Sequence, residues 1–102
     1  MSTTVVLPEE HAAIVRDVLR AHLPAGAHAY VFGSRADGSA RRFSDLDLAI
    51  EADAPLGLDM IGEIADALSE SDLPFKVGVL DVAVIDPTFK AIIAPAWVPL
   101  QF

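Results

Sequence analysis

The chain has 102 residues, no cysteine, a net charge of −8 and 53% hydrophobic residues. That length suits a single domain over residues 1–102 with a small core, and the missing cysteines exclude a disulfide framework and a cysteine-based zinc site. The acidic balance argues against general nucleic-acid binding, and no apolar run is long enough to span a membrane. The opening MSTTVVLPEEH lacks the basic and apolar regions of a secretory signal, so the expected compartment is the cytoplasm.

A first helix is expected from Pro8, with Glu9 and Glu10 at its positive end. Ile14, Val15, Val18, Leu19 and Leu23 recur at helical spacing, and Pro24-Ala25-Gly26 ends the run. Residues 27–32 read as a strand stopped by Gly33. Residues 34–44 form a loop, or a loop with a helical turn, long enough to suggest function. Residues 45–51 alternate cleanly, with Leu46, Leu48 and Ile50 on one face and Asp45, Asp47, Ala49 and Glu51 on the other. A turn at Pro55 and Gly57 leads to a helix over 59–71, with Ile61, Ile64 and Leu68 in its inner stripe. A third strand is expected over 75–84, and a third helix capped by Asp86 with Pro87 at its first position. Pro95 and Pro99 hold the tail AWVPLQF extended, as an edge strand. The order α-β-β-α-β-α predicts an α+β fold, a small mixed sheet with helices packed on it.

The chemistry concentrates in Val31 to Ile50, VFGSRADGSARRFSDLDLAI. Asp45 and Asp47 are two apart on a strand, so both carboxylates point the same way, about 7 Å apart along the chain. Like charges so close repel unless a cation sits between them. Mg²⁺ suits the site, because it binds one or two carboxylates together with phosphate oxygens. Two such ions can clamp both oxygens of a phosphoryl transfer. Gly33 lets backbone approach a phosphate, and the Ser34 hydroxyl can donate to it. Arg35, Arg41 and Arg42 are three of the seven basic residues, and their guanidinium forks match phosphate geometry. Taken singly, a Gly-Ser after a strand is usually a turn, a lone Asp-x-Asp a solvated edge, and an arginine surface charge.

The joint pattern is more specific: a strand, Gly33-Ser34, ten residues, then Asp45-x-Asp47 opening a strand. It resembles the signature of the polymerase β nucleotidyltransferase superfamily, and more narrowly its minimal nucleotidyltransferase (MNT) domains, over nearly the whole chain. The resemblance implies a mixed sheet with helices against it. It implies transfer of a nucleoside monophosphate, AMP from ATP, to a hydroxyl acceptor with release of pyrophosphate. Gly33, Ser34, Arg35 and Arg42 would hold the nucleotide, and Asp45 and Asp47 the Mg²⁺. It also implies an antitoxin role beside a HEPN-domain partner, which some such proteins adenylylate.

One departure stands out. The family's third carboxylate lies on the third strand, and this chain has Gly78 at the matching position in Lys76-Val77-Gly78-Val79-Leu80-Asp81. Asp81 is the remaining candidate for a catalytic carboxylate, but its odd spacing puts it on the opposite face unless a bulge re-aims it. Without a general base, transfer would slow by about 10²–10⁴. Two readings therefore compete: an Mg²⁺-dependent transferase acting on a partner toxin, and a degenerate binding subunit that neutralises its partner by docking. The high apolar content reads either as partner surface or as a small alanine- and valine-rich core. Trp97 and its apolar neighbours in the tail read as an interface anchor, with oligomerisation through that tail as the corresponding expectation. His11, His22 and His28 have no metal-ligand spacing.

Overall fold

A computed structural model of the chain describes residues 7–41 and 43–102. Helix α1 spans Glu9–His22, with Ala12, Val15 and Leu19 buried. Strand β1 follows at His28–Phe32, and a single helical turn, α2, at Ser34–Asp37. Strand β2 runs over Leu46–Glu51, helix α3 over Leu58–Ser69 and strand β3 over Val77–Asp81. A 3-10 turn at Val82–Val84 leads to helix α4, Pro87–Ile93, and the chain returns as strand β4, Val98–Leu100.

The four strands lie in the order β3-β2-β1-β4. β1 pairs antiparallel with β2 and with β4, whereas β2 and β3 are parallel, with α3 in the connection between them. Side chains alternate across the sheet as a pleated strand requires. Leu46, Leu48 and Ile50 of β2 and Ala29 and Val31 of β1 face a core shared with Val15 and Leu19 of α1 and Ile64 and Leu68 of α3. Complete burial of each leucine or isoleucine there contributes about 1.5–3 kcal/mol. The opposite face carries Phe32 and Asp47, paired in register, and Gly78, paired with Asp47. α4 reaches that face through Phe89, whose ring stands edge-on to Phe32.

Two elements differ from the sequence reading. The third strand stops at Asp81, because the Asp81 carboxylate accepts the Ala83 N–H and turns the chain into the 3-10 segment. The tail is an edge strand as expected, but it is not a free apolar arm. Val98 and Leu100 pack on this chain's own core, and Trp97 stacks on Tyr30 at 4.3 Å. Asp86 caps α4 as anticipated, accepting the Thr88 N–H at 2.7 Å.

Candidate active site

Strand β1 ends at Phe32 and the next residue must reverse direction. Gly33 does so at φ 76° and ψ −151°, a conformation open in practice only to glycine. A second constraint acts on the same residue. A Cβ at Gly33 would lie 2.6 Å from Oδ2 of Asp47. Gly33 therefore leaves no room for a side chain between the turn and the carboxylate of the central strand.

Asp47 is confined on its other side too. A Cβ at position 78 would lie 3.3 Å from its Oδ1. The carboxylate stands between two glycines, one at the end of β1 and one on β3. Burial raises its pKa above the usual carboxylate value, and the charge of Asp45 raises it further. Asp45 itself is exposed, just before β2. The structure thus brings together Gly33, Ser34, Asp45, Asp47 and Gly78 at one end of the two central strands.

Asp81 stands elsewhere. It pairs with Ile50, not with Asp47, and its side chain points to the helical side of the sheet. It is 6% exposed and accepts N–H groups from Leu56 at 2.8 Å and Ala83 at 3.1 Å. No bulge re-aims it, since β2 and β3 pair without interruption from Leu46–Val77 to Ile50–Asp81. It holds the turn before α3 and the turn after β3, and it does not join the pair of carboxylates.

Arg35 also departs from the sequence reading, in which it clamps phosphate. It is 2% exposed. Its Nε and Nη2 both donate to the Ser44 carbonyl, at 3.1 and 2.8 Å, and its guanidinium lies 4.1 Å from the centre of the Phe75 ring. Burial lowers its pKa and the charge of Asp45 opposes that shift. Arg41 is exposed on the loop, its N–H bonded to the Ser44 hydroxyl. Arg42 lies outside the described residues. Sequence reasoning missed the turn-binding role of Asp81 and the inward turn of Arg35. An arginine directly after Gly-Ser gives no local sign of whether it points out or in.

The donor set fits a divalent cation shared with a substrate. Two neighbouring carboxylates, one with its pKa raised by burial and then by the charge of the other, gain from a cation between them. Mg²⁺ is commonly held by one or two carboxylates and completed by phosphate oxygens and water. Among the described residues there is no group of three or more histidine, cysteine, aspartate or glutamate side chains able to hold a metal. The protein would supply Asp45 and Asp47, and the rest of the coordination would come from nucleotide and water. No helix among the described residues is long and apolar enough to cross a membrane.

The chain is similar to known proteins over most of its length. A family described as "Polymerase beta, Nucleotidyltransferase" matches residues 16–95. A probable protein adenylyltransferase MntA from Haemophilus influenzae is 39% identical over 95 residues, covering 93% of this chain and 82% of its own. Among solved structures, a toxin–antitoxin crystal structure with AMP-PNP matches with a TM-score of 0.76 at 26% identity, over 88% of this chain and 72% of that one. A tri-AMPylated Shewanella oneidensis HEPN toxin in complex with MNT antitoxin matches with a TM-score of 0.71 at 22% identity, over 91% and 71% of the two chains, a likeness of fold.

Proposed function

The chain belongs to the polymerase β nucleotidyltransferase family, and on that premise we propose that it moves AMP from Mg-ATP to a hydroxyl group of a partner toxin protein. The observation that carries the reading is the close approach of Gly33 to the Asp47 carboxylate, so close that a Cβ would not fit. It supports a phosphate-binding turn set beside a metal-binding side chain. The relative named as a protein adenylyltransferase supports a protein acceptor. The solved toxin–antitoxin complexes, one with AMP-PNP, support ATP as the nucleotide and a HEPN-type toxin as the partner. The proposed compartment is the cytoplasm, where ATP is supplied.

Gly33 and Ser34 hold the phosphates, the glycine through backbone that no side chain obstructs. Asp45 and Asp47 would hold Mg²⁺, which would supply charge stabilisation to the phosphate oxygens. The acceptor oxygen bonds to the α-phosphorus as the bond to the bridging oxygen breaks, and pyrophosphate leaves. Positioning and electrostatics carry most of such a transfer. Gly78 offers no carboxylate to take the acceptor's proton, so that proton passes to solvent or phosphate and the rate is low.

The decisive measurement is label transfer from α-labelled ATP to the purified partner. Asp47→Ala and Asp45→Ala should each abolish it; retention of transfer in both would remove the proposed metal site. Gly78 favours one second reading, a subunit that neutralises its partner by docking alone. Neutralisation with no transfer, unchanged by Asp47→Ala, would decide for that reading.

A further inference from the structure

We infer that Arg35 is a positioning residue, a buried brace that holds the phosphate-binding turn and the metal-binding aspartates at a fixed separation. The inference rests on the nucleotide-binding reading of the site, and it changes the part Arg35 plays within it. The connection from Gly33 to Asp45 has two ends. Arg35 follows Ser34 at one end, and Ser44 precedes Asp45 at the other. The guanidinium of the first donates twice to the carbonyl of the second. One side chain thus closes the whole loop at its base.

Two further facts support the brace. The loop has internal bonds of its own, from Ala40 N–H to the Ser34 carbonyl at 3.1 Å and from Ser44 N–H to the Arg41 carbonyl at 3.1 Å. Each of these ties one end of the loop to its middle, whereas the Arg35 side chain joins end to end. Phe75 gives the guanidinium a fixed platform, and Phe75 packs in the core beside Leu46 and Leu68. The loop base is thereby referred to the sheet. A planar fork with a stacked face meets these demands together, and an ammonium group does not.

The test uses Arg35→Met and Arg35→Lys in the full chain, with Phe75→Leu as a variant that removes the aromatic platform and keeps an apolar side chain in the core. Hydrogen exchange without nucleotide reads the brace directly. Arg35→Met should speed exchange at Ala40 and Ser44 by at least about tenfold, while Leu48 and Ile50 in β2 stay protected; a tenfold change corresponds to about 1.4 kcal/mol. Arg35→Lys should fail to restore protection, and Phe75→Leu should give an intermediate change. Calorimetry with tripolyphosphate alone and with Mg-ATP reads the consequence. Metal-free tripolyphosphate affinity should hold, and the factor by which Mg²⁺ tightens ATP binding should collapse. Unchanged loop exchange with lost tripolyphosphate affinity would overturn the brace and make Arg35 a direct phosphate ligand. Equal loss of protection throughout the sheet in both Arg35 variants would also overturn it, as a general core contact. A wild-type chain that binds no Mg-ATP would sink the nucleotide reading, and loop exchange would still decide on the brace.

Discussion

Asp47 is held where a carboxylate is costly. It is half-buried, confined between Gly33 and Gly78, and close to the charge of Asp45. Its raised pKa means the folded chain holds that proton more tightly than the unfolded chain. The folded state therefore loses stability as pH rises from the unfolded carboxylate value through the raised folded value, and the penalty is complete above it. Asp47→Asn should remove that pH-dependent segment and raise stability at neutral pH by about 1 kcal/mol, or roughly 4–8 °C in Tm. Thermal melts across the acid range check the sign. Gly33→Ala should act in the opposite direction. It forces a non-glycine residue into the same backbone geometry and drives a methyl group against Asp47, at a cost of about 2 kcal/mol. Gly78→Asp is the gain-of-function counterpart. It sets a carboxylate in register with Asp47, which must yield by a few tenths of an ångström. Transfer of labelled AMP should rise, by about 10²–10⁴. No rise in a folded variant would show that the missing acid does not limit the rate.

Strand β3 divides its residues between two tasks. Gly78 faces the site, while Asp81 faces the helices and ties down two turns. Asp81→Ala should cost about 2 kcal/mol through loss of its two hydrogen bonds and leave Mg-ATP affinity unchanged, measured by denaturant melts and calorimetry side by side. An affinity loss as large as that of Asp47→Ala would reinstate Asp81 in the site. Much of the element-level picture was legible in advance, because strand alternation is local. Asp45 and Asp47 declared their shared side, and the odd spacing of Asp81 declared its opposite one. The inward turn of Arg35 was not legible, because it depends on Phe75, which meets it only after β2, α3 and the start of the β2–β3 pairing are in place. The shortened β3 was hidden for a related reason. Val82, Ala83 and Val84 have the composition of a strand, and the Asp81 side chain overrides it.

Over the whole molecule, one face of the sheet is spent on stability and the other on the site. α1 and α3 cover the first, and the tail strand extends the same core through Val98 and Leu100. The second face keeps Asp47 only half-covered, with α4 approaching through Phe89. Ligand binding should therefore stabilise the fold by mass action without rearranging the core. Mg-ATP at a hundredfold excess over Kd should contribute about 2.7 kcal/mol, a rise in Tm of roughly 10–20 °C. Metal-free ATP should give a smaller rise, and Asp47→Asn should remove the Mg²⁺-dependent part.

Gly78 sits on ordinary strand backbone and, unlike Gly33, has no positive φ to defend. Nothing in its conformation requires glycine. One residue, aspartate in place of Gly78, separates this chain from a three-carboxylate site. On the proposed reading, the side chain at this one position sets the strength of transfer, and the backbone stays as it is.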